Sequence, residues 1–141
     1  MGNGRRYYRL VVIMVSCVLF GCPLESKFPL GDSNNAPKEE RLLGKWIVIE
    51  PEEIKNGSLS VFSFNEHEYY LEYQEAKGKT TGRSRAFITM IDNVYFLNVQ
   101  DIEDRSSERD YTFGKISVLT NNVLTLWTLE DDLLSQKPLS T

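Results

Sequence analysis

The chain has 141 residues, 41% hydrophobic and 26% charged, with a formal net charge of −4, a single histidine and two cysteines. That length suits one ordinary domain. An acidic balance disfavours nucleic-acid binding, which draws on clustered Lys and Arg.

The first element in chain order is an export leader. Arg5, Arg6 and Arg9 form a basic start, residues 10–20 are an almost unbroken apolar run, and Gly21 and Cys22 follow. This is the order of a secretory signal peptide. A membrane-spanning helix needs about 20 apolar residues, whereas 10–22 would reach only roughly 20 Å at ~1.5 Å per residue. The segment is too short to cross. Its ending, Leu19, Phe20, Gly21 and Cys22, resembles the lipobox of bacterial lipoproteins. The resemblance implies cleavage between Gly21 and Cys22, a diacylglyceryl thioether on Cys22, and usually an N-acyl chain as well. Two or more chains hold a protein stably at a membrane, where one is marginal. Pro23, rather than Asp, follows the cysteine. The resemblance then implies a periplasm-facing outer-membrane location ahead of the inner membrane. The alternative is a plain cleaved signal in which Cys22 is incidental.

Removing 1–21 deletes three arginines and no acidic residue, so the formal charge moves from −4 to −7. Cys17 leaves with the leader and Cys22 is acylated, so the remaining domain has no disulfide and rests on burial alone. One histidine and no free thiol exclude a structural zinc centre. Neither a metal nor a cofactor is expected, and membrane contact is assigned to the acyl chains.

Residues 22–40 contain three prolines, the polar run Asp32, Ser33, Asn34 and Asn35, and the charged Lys38, Glu39 and Glu40. Such a composition buries little, which predicts a flexible, extended tether. Phe28 and Leu30 are its notable apolar groups and the expected points of attachment to the domain.

From residue 41 to 134 short β-type runs alternate with turn residues. Strands are expected over 46–50, 59–64, 69–73, 83–91, 94–99, 111–118 and 123–129. Asn56 with Gly57, Asp92 with Asn93, and Asn121 with Asn122 supply the turns. No helical stretch separates the strands, so an antiparallel up-and-down meander of about seven to eight strands is the economical topology. Ala86, Ile88 and Met90 oppose Phe87 and Ile91, and Tyr95, Leu97 and Val99 oppose Val94 and Phe96. Burial on both faces predicts a small barrel or sandwich with something packed outside it. Residues 130–134 could begin a short C-terminal helix covering one face, and 135–141 form a tail.

Leu42, Leu43, Gly44, Lys45 and Trp46 resemble the Gly-x-Trp signature that opens the first strand of lipocalins. In that family the glycine permits a close approach and the tryptophan closes the base of the barrel. Arg109, Asp110 and Tyr111 resemble the second lipocalin motif, Thr-Asp-Tyr. The third motif, an arginine near the last strand, has no counterpart, because 123–129 carry no basic residue. The chain as a whole resembles small bacterial lipoproteins bearing a lipocalin-like β domain, which implies an anchored barrel and no activity.

Candidate chemistry is sparse. His67, between Glu66 and Glu68, has the makings of a general base or half of a metal site, but no activated nucleophile accompanies it. The expected role is a solvated turn. Glu50, Glu52, Glu53, Glu66, Glu68, Glu72 and Glu75 read as solubilising carboxylates rather than a glycosidase pair, and Asp101, Glu103, Asp104, Glu108 and Asp110 lack EF-hand spacing. The site worth testing is an apolar cavity lined by Tyr69, Leu71, Tyr73, Tyr95 and Phe96. Two functions remain: lipocalin-like binding of an apolar or amphipathic small molecule, or a filled barrel that contacts or inhibits another envelope protein. Small lysozyme-inhibitor lipoproteins illustrate the second class, but their Ser-Gly-x-x-Tyr segment is absent. Neither function requires catalysis.

Overall fold

A computed structural model describes the backbone of residues 9–14, and residues 24–49, 54–103 and 109–129 in full. The acylation site at Cys22, the cleavage point at Gly21 and the helix expected over 130–134 lie outside the described residues. So do Glu50, Glu52, Glu53, Asp104 and Glu108.

The protein is mainly β, as the sequence predicts. Among the described residues nine strands share one sheet: β1 (Arg9–Met14), β2 (Glu25–Ser26), β3 (Gly44–Val48), β4 (Ser58–Ser63), β5 (Glu68–Gln74), β6 (Thr80–Ile91), β7 (Val94–Asp101), β8 (Tyr111–Leu119) and β9 (Val123–Thr128). The seven expected strands are β3 to β9, and each pairs antiparallel with the next. Tight turns make this possible. Asp92 and Asn93 hold φ of 48° and 62° between β6 and β7, the left-handed pair of a two-residue hairpin. Gly57 is needed for a different reason. A Cβ there would sit 2.9 Å from the Gln74 carbonyl oxygen and press on the Tyr73 hydroxyl.

The two short strands are additions to the meander. β2 pairs antiparallel with the start of β8. β1 lies parallel to β3 on one side and to β9 on the other. Residues 9–14, which the sequence assigns to the leader, are therefore part of the sheet in the full chain.

Strand alternation sorts the side chains into two faces. One face holds the core: Trp46, Val61, Tyr69, Leu71, Ala86, Ile88, Leu97, Ile116 and Leu124 are all buried, and Tyr95, Val99 and Leu126 pack against them. The other face carries Phe87, Asn98 and Phe113, which are also buried. Their cover is the segment 24–40, which runs from the beginning of β8 across β7 and β6 to the beginning of β5. An external layer was expected from the two-sided apolar pattern, and this segment supplies it among the described residues.

That finding corrects the flexible tether. The backbone is extended and contains a single short 3-10 turn, Ser33–Asn35, before Glu40–Leu42 leads into β3. Yet it is fixed at many points. The Leu24 amide donates to the Leu129 carbonyl, the Leu30 amide to Asn98 Oδ1 at 2.8 Å, and the Glu39 amide to the Tyr69 hydroxyl at 2.6 Å. Composition misled because the attachment is polar, not hydrophobic. Phe28, one of the two expected points of attachment, is 78% exposed.

Candidate functional site

The tyrosine cavity expected from the sequence divides in three. Tyr69 and Leu71 are core residues, and Tyr95 packs on the same cluster. Phe96 points to the opposite face, since its neighbour Leu97 faces the core. Tyr73 lies at the rim, where β5 ends. The side chains expected to line a space therefore fill it: Trp46, Tyr69, Ile88 and Leu124 are at most 1% exposed. Burial pushes the Tyr69 phenol up to about 12, so it stays neutral and hydrogen-bonded at any ordinary pH.

Two surface depressions stand out among the described residues. The larger, ≈ 280 Å³, is bounded by Ile54, Lys55, Tyr73, Glu75 and Lys77 at the β5–β6 turn. Drug-sized ligands occupy clefts of about 300–1,000 Å³ with mostly apolar walls, and this one is small and rimmed by charge. The smaller, ≈ 80 Å³, lies under the covering segment between Ser33, Glu68, Arg85, Phe87, Gln100 and Tyr111. It has room for a few waters.

The polar cluster at the head of β5 is the most elaborate among the described residues. Glu68, only 5% exposed, receives Arg85 Nη2 at 2.5 Å and Asn65 Nδ2 at 2.6 Å. Burial pushes its carboxyl up, but these two donors outweigh burial and hold it below the ordinary glutamate value. Lys38 Nζ donates to the Asn65 carbonyl at 2.7 Å, the Glu68 carbonyl at 2.6 Å and Ser63 Oγ at 3.1 Å. It also sits 4.4 Å from the centre of the Tyr69 ring. Partial burial lowers the Lys38 pKa, since desolvation disfavours the charged form.

His67 belongs to this cluster. Its Nδ1 lies 2.9 Å from the Ala36 carbonyl. A carbonyl only accepts, so Nδ1 carries the proton and donates. The imidazole is half-buried rather than free at the tip of a turn, and it pins the covering segment. An oriented histidine beside a carboxylate satisfies half of an acid–base pair, but Glu68 is occupied by Arg85 and Asn65. No cluster of three or more His, Cys, Asp or Glu suited to a metal occurs among the described residues.

The Gly-x-Trp residues have a clear local logic. Gly44 opens β3 with φ of 127°, a conformation side chains rarely adopt. Trp46, fully buried, donates Nε1 to the Leu42 carbonyl at 2.8 Å. This bond satisfies the indole and ties the Glu40–Leu42 turn to the core. Both are structural. Asp110, of the second motif, has a buried Oδ1 without a hydrogen-bond partner among the described residues.

Sequence reasoning missed the Lys38, Asn65, Glu68 and Arg85 cluster, because Lys38 and Arg85 are far in the chain from Asn65 and Glu68 and each charged member reads alone as a solvated charge. No helix among the described residues is long and apolar enough to cross a membrane. No protein-family model matches the chain, and no similar protein was found among either the curated proteins or the solved structures.

Proposed function

We propose that this is a lipid-anchored, non-catalytic protein of the cell envelope whose β domain serves as an interaction module for another envelope protein. One observation carries the choice over small-molecule binding: the face expected to enclose a ligand is filled by Trp46, Tyr69, Ile88 and Leu124. Lys38 and His67 are spent on holding the segment 24–40 in place, and the Glu68 carboxylate is taken up by Arg85. The anchor itself rests on the leader and on Cys22.

Fixing of the segment sharpens what the anchor would do. Leu24 is already bonded to Leu129, so two residues at most ~3.6 Å each separate an acylated Cys22 from the fixed domain. The end of the sheet where β8 begins would sit against the headgroups. The opposite end, which exposes Phe62, Phe64, Met90, Ile91 and Val118, would face away from them.

Labelled palmitate should enter the wild-type protein and not Cys22→Ser; equal labelling would remove the anchor. A fluorescent naphthalene-sulfonate should show no saturable binding to the purified protein. Saturable binding lost in Tyr73→Ala would instead favour a small-molecule binder, which would use the cleft beside Ile54 and Lys77.

A further inference from the structure

The meander from β3 to β9 has an odd number of strands. Its first and last members therefore run in the same direction, and an antiparallel ladder cannot join them. They do not pair with each other. Between them lies β1, with residues 9–11 in register with 46–48 of β3 and residues 10–14 in register with 123–127 of β9. A strand occupies about 4.8 Å in the hydrogen-bonding direction, so β3 and β9 stand roughly 10 Å apart and leave a slot one strand wide. Val48, Leu124 and Thr125 on its two walls are buried while the slot is filled. The occupant is an apolar run, Leu10, Val11, Val12, Ile13 and Met14, four residues of which are Val, Ile or Leu.

We infer that the gap between β3 and β9 is a strand-acceptor site, filled in the full chain by residues 9–14 and, after the leader is removed, by an extended apolar segment of a partner protein. This deepens the interaction module and rests on the reading of residues 1–21 as a cleaved leader. Loss of β1 would leave two facing rows of unpaired backbone N–H and C=O groups and expose the apolar walls. Such edges recruit strands, and addition of an extended peptide to a sheet edge is a general mode of recognition. Two edges give a guest ladders on both sides. The specificity required is modest: a run of about five residues without proline, rich in β-branched side chains. The partner is a different protein. A processed second copy lacks residues 9–14 as well, and its residues 130–141 carry Asp131, Asp132 and Pro138, unsuited to an apolar two-sided ladder.

The test uses the full chain with Cys17→Ser and Cys22→Ser and a specific protease site placed within 16–21. Hydrogen exchange of the amides in 46–48 and 123–127 is followed before cutting, after cutting and release of the leader, and after adding a synthetic peptide with the sequence of Arg9–Met14. The expected course is protection, loss of protection, then its return with saturable peptide binding. A peptide with Val12→Pro should bind at least tenfold more weakly, because proline lacks the donor and resists a central strand position. The inference is overturned by protection that survives release, by a proline peptide that binds equally, by dimers that fill the slot unaided, or by unfolding on release. Unfolding would make β1 an integral strand. Leader processing in cells, read separately from the mass of the mature protein, distinguishes these results from failure of the leader reading. A slot that passes in vitro while the leader stays uncleaved would be permanently filled, and the partner claim would then fall.

Discussion

Glu68 shows how a single side chain changes meaning once its neighbours are known. In the sequence it is one of several glutamates around a lone histidine; in the fold it is buried against Arg85 and Asn65. Because its folded pKa is depressed, its contribution to stability is complete above the unfolded value near 4.3 and is lost as pH falls through the folded one. Glu68→Gln should cost about 1.5–3 kcal/mol at pH 7, the value of a hydrogen bond to a charged group. Its stability should also fall less than that of the wild type between pH 5 and pH 3. Urea midpoints at three pH values across this window measure both effects, and parallel curves for the two proteins would show that Glu68 is not the responsive group.

At the scale of elements, the segment 24–40 acts as a layer rather than a linker. Asn98 is central to that attachment, because its fully buried amide serves three groups. Oδ1 accepts from the Leu30 amide, and Nδ2 donates to the Phe87 carbonyl and to Thr89 Oγ1. Beside it, Gly31 packs so closely on Thr89 that a Cβ would lie 2.7 Å from Thr89 Oγ1. Asn98→Ala leaves the Leu30 donor without its partner, and a buried unsatisfied group costs about 1–3 kcal/mol. The expected result is a loss of that size in unfolding free energy, together with rapid hydrogen exchange at the Leu30 amide. Retained protection at Leu30 would mean that the segment holds without Asn98. The sequence could not have disclosed this attachment. Hydrophobic periodicity reports burial of side chains, and here the bonds are made by backbone amides and a single asparagine 68 residues away from its partner.

For the molecule as a whole, Trp46 joins the parts. It is fully buried in the core, its indole is tied to the turn that precedes β3, and β3 is the wall of the slot that β1 fills. Trp46→Ala should cost about 3–5 kcal/mol, a large share of the roughly 5–15 kcal/mol that holds a domain of this size. Because no disulfide is expected in the mature chain to limit unfolding, the lost stability should appear as a lower midpoint for one cooperative transition, followed by far-UV circular dichroism in urea. A loss below 1 kcal/mol would remove Trp46 from the centre of the core.

Seven strands, their order and their turns were legible without coordinates, because alternating apolar residues and the pairs Asn56–Gly57 and Asp92–Asn93 act locally. The apolar run over 10–20 and Cys22 are likewise local features, and the export leader read from them belongs to the proposed function. What only the tertiary structure decided are relations between distant residues: that the tyrosines of β5 and β7 pack into a core instead of lining a space, that a proline-rich run lies fixed over the outer face, and that β3 and β9 stand one strand apart. Side-chain patterning specifies which face a residue takes. How far two edges of a curled sheet approach depends on the summed twist and register of every strand between them, and no local run of sequence encodes that sum.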